Sequence, residues 1–191
     1  MIDIKTLGHI TLGGIIFTTE NNAHSQAIQE SSSTVRNPAS NGVFFTHCGI
    51  VASPDMKWDT VIIHSSPNKG VHIDSLKDFL HSATWAVAET VCDEQVAIRA
   101  VSLAEKNLGR PYNHTLYPDR EGLYCSQLVT VCYLNKDGTS YFESTPMNFR
   151  SPDGSMPKFW TETFQAYRTQ IPESIPGSNP HKLYLQRDRF R

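Results

Sequence analysis

The clearest periodic pattern in the chain is helical: Val96, Ala97, Ala100, Val101, Ala104 and Leu108 fall on one stripe. Asp93 ahead of it reads as an N-cap, Gly109 as its end, and Pro111 blocks continuation. Further on, Leu128, Val129, Cys132 and Tyr133 recur at the same spacing, which predicts a second helix with Cys125 in its first turn. Apolar runs predict strands over residues 10–17, with a bend at Gly13-Gly14, over 43–52, over 60–64 and around 85–88. The 43–52 and 60–64 strands are joined by the turn-rich Ser53-Pro54-Asp55-Met56-Lys57, so short a link that antiparallel pairing is expected. Asp74 reads as the N-cap of a short helix carrying Leu76, Phe79 and Leu80. Residues 21–40 are polar and loop-like, with a short helix at 25–30, and are expected to rim a cleft. Residues 141–191 hold most of the prolines and Tyr141, Phe142, Phe149, Phe159, Trp160, Phe164 and Tyr167, a composition that predicts a wrap over the core and one wall of the cleft.

The position of Cys125 has chemical consequences. Unpaired N–H groups and the positive dipole end at a helix start favour a thiolate, and the thiolate is the nucleophile. A base is needed, and His47 stands inside the apolar strand Phe44-Phe45-Thr46-His47-Cys48-Gly49-Ile50-Val51. With antiparallel pairing, His64 at the end of the next strand shares a sheet face with His47 and is placed to orient it. Set against this, an intracellular cysteine is more often a small core residue, and a histidine in an apolar strand more often a satisfied core group. Tyr112, Tyr117 and Tyr124 surround the cysteine loop, and Tyr112 and Tyr124 are the candidate substrate-binding residues. For the oxyanion, the backbone N–H of Cys125 is the expected donor. Cys48 and Cys92 are expected as core fillers, His114 and His181 as surface residues.

At 191 residues the chain fits one domain with a single core. Its composition, 39% hydrophobic and 19% charged, is that of a globular protein, and a net charge of −2 without a basic run sets nucleic acid aside. Four cysteines without C-x-x-C spacing predict neither a zinc site nor a disulfide scaffold, so no metal or other cofactor is expected. The first residues lack a signal pattern and no run approaches the roughly 18 apolar residues of a membrane span. A soluble chain without an integral membrane segment is expected; its compartment stays open, the cell envelope included if a signal was removed, and so does its oligomeric state.

Several segments, in order, resemble the YiiX-like group of circularly permuted papain-like enzymes of the NlpC superfamily. They are Leu12-Gly13-Gly14-Ile15-Ile16-Phe17, Thr46-His47-Cys48-Gly49-Ile50-Val51, Val61-Ile62-Ile63-His64-Ser65, Gly70-Val71, Leu108-Gly109-Arg110-Pro111-Tyr112-Asn113, Tyr124-Cys125-Ser126-Gln127-Leu128-Val129 and the Pro/Gly-rich end from Ile171 to Pro180. The resemblance implies an α+β papain-like, NlpC-type fold with circularly permuted topology, a central antiparallel sheet packed by helices. It also implies a cysteine peptidase or amidase with Cys125 as nucleophile, His47 as base and His64 as third residue, acting on a peptide or amino-acid substrate, cell-wall-type peptides among them. Relatives of the lecithin:retinol acyltransferase type make a lipid-like acyl substrate an alternative, and a non-catalytic binding module on the same fold is a third reading. Three acids of the family pattern are exchanged: Gly-Asp reads Gly13-Gly14, Tyr-Asp reads Tyr112-Asn113, and Cys-Ser-Glu reads Cys125-Ser126-Gln127.

Overall fold

The computed structural model describes residues 7–33, 42–54 and 59–190. Five strands form one antiparallel sheet in the order β4-β3-β2-β1-β5: β1 Ile15–Glu20, β2 His47–Ser53, β3 Val61–Ser66, β4 Gly70–Ser75 and β5 Ala83–Glu89. The centre of the sheet is covered on both faces, which is why Ile15, Ile16 and Phe17 form an unbroken apolar run. On one face Ile15, Phe17, Cys48, Ile50, Ile63 and Val71 pack with residues of α3 (Glu94–Lys106) and α4 (Cys125–Cys132). On the other, Ile16, Val51 and Ile62 pack with Leu76 and Phe79 of α2 (Leu76–Phe79). Helix α3 carries the predicted stripe from Val96 to Ala104, with the Asp93 carboxylate accepting from the Val96 N–H at 3.1 Å, but it ends at Lys106 and leaves Leu108 beyond it and exposed.

Strand boundaries moved where backbone geometry overrode the apolar pattern. β1 begins only at Ile15, because Gly13 adopts a φ of 64° in the turn before it. β2 begins at His47, and the apolar residues 43–45 ahead of it lie outside the strand. The pairing of β2 with β3 is antiparallel as predicted, with Gly49 opposite His64, so His47 and His64 lie diagonally on one face. Most of the predicted connector, residues 55–57, lies outside the described residues.

Asp74 is not a helix cap: it belongs to β4, and Ser75 caps α2 by accepting from the Asp78 N–H at 3.1 Å. The polar stretch contains a longer helix than predicted, α1 (Ala23–Ser32), capped by Asn22; its residues 34–40 lie outside the described residues. Cys92 is exposed in the connector before α3 rather than filling the core, and His181 is fully buried rather than on the surface. His181 opens α6 (Pro180–Leu185), where Phe44 and Phe45 pack around its ring.

The C-terminal residues pack as a wrap. The short pair β6 (Thr145–Pro146) and β7 (Pro176–Gly177) brackets α5 (Lys158–Ala166), which packs on α1. Phe149, Trp160 and Phe164 form a third apolar cluster with Ala27 and Ile28 of α1. α6 rests on α4 and β1 through Leu183 and Tyr184.

Candidate active site

Helix α4 begins at Cys125, as the sequence pattern predicted. Its start is fixed by a side chain three residues on: the Gln127 amide oxygen accepts from the Tyr124 N–H at 3.4 Å. Gln127 in turn meets Asn113, whose amide donates to the same oxygen at 3.4 Å. Two of the exchanged family acids are therefore neighbours, and their exchange leaves a neutral amide pair at the helix start. Cys125 itself is buried, 5% exposed.

Two consecutive residues of β2 grip its sulfur. His47 hydrogen-bonds Cys125, and Cys48, whose side chain leaves the strand on the opposite face, does so as well. The Cys125 thiol is held well below its ordinary pKa, first by the hydrogen bond from Cys48; the hydrogen bond and charge of His47 add to it, against the cost of burying a charge. Cys48 shifts the other way, pushed well up by burial and by the anion it donates to. Burial alone would lower His47, yet the hydrogen bond and charge of Cys125 bring it out above the ordinary imidazole value. The two shifts are coupled, and both favour the thiolate–imidazolium form of the pair.

Behind His47 runs a chain of hydrogen bonds. His47 Nε2 lies 2.9 Å from His64 Nδ1, and His64 Nε2 lies 3.1 Å from Asp74 Oδ2. Because Nε2 of His47 faces His64, Nδ1 is left for Cys125. Burial, then the charges of His47 and His72, push His64 down to about 3, so it is neutral and accepts the His47 proton while donating its own to Asp74. Burial works against ionising Asp74, but the hydrogen bonds from His64 at 3.1 Å and from Lys69 at 3.3 Å hold it below the usual carboxylate range. Phe79 packs on both catalytic-candidate rings, its centroid 5.4 Å from His47 and 4.9 Å from His64. Gly49 makes room for it, since a Cβ there would lie 2.9 Å from the Phe79 ring and 2.6 Å from Ile62.

The cleft has two unlike sides. Next to Cys125, Ile28, Leu116, Met147, Phe149 and Trp160 enclose an apolar pocket with about 60 Å³ of room, walled in part by the C-terminal wrap. Beyond His47, a polar groove of about 530 Å³ runs past Glu20, Asn22, Lys69, His72 and Asp74. His24 of α1 and Tyr112 border both. Burial, then the Cys125 charge, raises Tyr112 well above the ordinary phenol value, so its hydroxyl is a proton donor. Tyr124 is pinned to the wrap, accepting from the Ser178 N–H at 3.2 Å.

Cys125, His47, His64, Tyr112 and Tyr124 are thus brought together around the cleft. Sequence reasoning missed Cys48, Asp74 and His24. The alternation of β4, which sets His72 and Asp74 on the face of His64, was the available signal for Asp74.

Comparison with known proteins bears on the fold and the family. The crystal structure of metalloprotein yiiX from Escherichia coli O157:H7 superposes with a TM-score of 0.69 at 20% identity, covering 91% of each chain, which establishes a shared fold. No curated protein matches the sequence. Residues 9–186 match the family described as permuted papain-like amidase enzyme, YaeF/YiiX, C92 family. With that match running over most of its length, the chain belongs to the permuted papain-like amidases of the C92 family, a family of cysteine peptidases and amidases.

Proposed function

We propose that the chain is a thiol amidase in which Cys125 is the nucleophile, His47 the general acid and base, and His64 the group that orients His47. The observation that carries this reading is a buried thiol at a helix start, hydrogen-bonded to a histidine whose other nitrogen is fixed by a second histidine. The Cys125 thiolate adds to the carbonyl carbon. The first-turn N–H groups of α4 are the donors assigned to the developing oxyanion, with the hydroxyl of Tyr112, which lines the same pocket as Cys125, as a further donor. His47 Nδ1–H then protonates the departing amine, and the C–N bond breaks to leave a thioester. In the second half, His47 takes a proton from water, the hydroxide attacks the thioester, and the thiolate leaves.

The two sides of the cleft favour a peptide-type amide, of which cell-wall peptides are one source. The apolar pocket takes a small apolar group, while the groove offers Glu20 and Lys69 to polar or charged ends. An acyl lipid is the second reading, favoured by the apolar lining at Cys125. Room of about 60 Å³ weighs against it, since pockets for drug-sized ligands run to roughly 300–1,000 Å³. The solved neighbour is described as a metalloprotein, and the donors that fit a metal here are His64, His72 and Asp74. A metal there would place a fixed positive charge behind His64, and no step above runs through it.

The test pairs a thiol-reactive activity probe with panels of cell-wall-type peptide amides and phospholipid vesicles. Labelling of Cys125 with turnover of peptide amides is expected. Turnover of phospholipid without peptide would move the chain to the acyl-lipid class, and neither labelling nor turnover would leave a binding module.

A further inference from the structure

The hydrogen bonds at the outer edge of the sheet do not balance with protons alone on neutral side chains. His64 and His72 are a directly opposed cross-strand pair, and Asp74 follows on the same face two residues after His72. Both imidazole Nε2 atoms point at one oxygen, Asp74 Oδ2, from 3.1 and 3.2 Å. The other carboxylate oxygen, Oδ1, is taken by Lys69 at 3.3 Å. His64 supplies an Nε2–H, as described above. His72 is different, because its Nδ1 lies 2.9 Å from the Gly70 carbonyl oxygen, which can only accept. Nδ1 therefore carries the proton, and in the neutral ring Nε2 then presents a lone pair to a carboxylate oxygen. Two acceptors in that position need a cation between them, either a second proton on His72 or a metal ion.

The surroundings suit a metal. One donor atom from each of His64, His72 and Asp74 lies within 4.8 Å of the other two. The separations of 3.1 and 3.2 Å are close to the roughly 3.3 Å between ligands set about 2.0–2.1 Å from a tetrahedral ion. A ligating histidine whose other N–H is bonded to a backbone carbonyl, as in His72, is the usual arrangement that orients such a ligand. All three residues line the polar groove, which gives an ion a way in. Two imidazoles and one carboxylate suit zinc and its neighbours in the first transition row better than magnesium or calcium.

We propose that His64, His72 and Asp74 form a site for a divalent cation of the zinc class, and that its occupation switches Cys125 off by taking the Nε2 proton of His64. The proton count gives the direction. Without the ion, His64 donates its Nε2–H to Asp74 and turns a bare Nδ1 to His47, which can then hold a proton on Nε2 as well as on Nδ1. With the ion on His64 Nε2, the neutral His64 ring must carry its proton on Nδ1 and donates to His47. His47 Nε2 is then a bare acceptor, His47 is neutral, and one proton has left to solvent. The thiolate loses its imidazolium partner, and the departing amine loses its acid. This second half rests on the roles of Cys125 and His47 proposed above; the binding site does not.

Cobalt(II) is the probe, because its visible absorption reports its ligands. Titration of the purified, metal-free chain is expected to give one equivalent of bound cobalt with a nitrogen- and oxygen-ligated spectrum, displaced by zinc. His72→Gln and Asp74→Asn are each expected to weaken binding at least about tenfold, and Cys125→Ser to leave it unchanged. Zinc is expected to slow alkylation of Cys125 at pH 7 in the wild type and not in His72→Gln. Absence of binding, or equal binding by wild type and both site variants, overturns the site. A sulfur-to-cobalt charge-transfer band that disappears in Cys125→Ser places the ion on the nucleophile and overturns it too. Binding at the three residues with no change in Cys125 alkylation overturns the switch, and if metal-free Cys125 is itself unreactive at pH 7 the fault lies in the proposed function.

Discussion

Cys125 and Cys132 sit at the two ends of one helix, both buried, and they are opposite kinds of thiol. Cys132, in the last turn, is pushed up to about 12 by burial. Cys125, in the first turn, lies well below the ordinary thiol range because Cys48 and His47 hydrogen-bond its sulfur. The histidines divide in the same way. Burial pushes His181 down to about 4, while the half-buried His47 rises because an anion faces it. Burial by itself makes both residue types inert; a charge partner inside the same burial makes them reactive.

The largest expected effect tests that contrast directly. Cys125→Ser is expected to lower amide turnover by at least about 10⁴-fold, as loss of a nucleophile does elsewhere. Cys132→Ala is expected to leave turnover within about threefold and to cost about 1 kcal/mol of stability, measured by urea unfolding. Similar losses from both would erase the distinction. Alkylation at neutral pH followed by peptide mapping is expected to find Cys125 ahead of Cys48, Cys92 and Cys132.

Next in size is the base. His47→Ala is expected to cost about 10³-fold or more in kcat, and His64→Ala less, since the base remains but is misdirected. Single-turnover rates on one peptide amide would rank them; wild-type activity in His64→Ala would remove its orienting role. A pH profile sharpens the comparison further. The thiolate of Cys125 forms below the ordinary thiol pKa as pH rises, and the His47 imidazolium survives above the ordinary imidazole pKa. Turnover is therefore expected to rise through the lowered thiol value and fall through the raised histidine value, giving a bell with its plateau between them. The smallest effect belongs to Cys48→Ala, which removes a weak S–H donor worth about 1 kcal/mol. It is expected to move the acid limb of Cys125 alkylation upward by less than about one pH unit.

Much of this geometry was legible because it depends on local periodicity. Helical spacing put Cys125 at a helix start, and the short connector made β2 and β3 antiparallel, which set His47 and His64 on one face. The parts that were not legible depend on contacts across the fold. Asp74 looked like a cap because it stands two residues ahead of an apolar helix, and only the register of β4 against β3 reveals that it faces His64. Cys48 looked like core filling, as its burial would suggest, and its contact with Cys125 requires knowing where α4 docks on β2. His24 was hidden in a polar stretch with no apolar stripe strong enough to place it.

The amide pair of Asn113 and Gln127 bears on how the protein meets acid. Two carboxyls so close would share a proton, and the first turn of α4 would then change its bonding as that proton came and went. Two amides hold the turn identically at every pH, so acidification is expected to silence the nucleophile while leaving the helix that presents it in place. Activity lost in mild acid should accordingly return on neutralisation without a lag, a reversibility built into the scaffold by exchanging charge for hydrogen bonds.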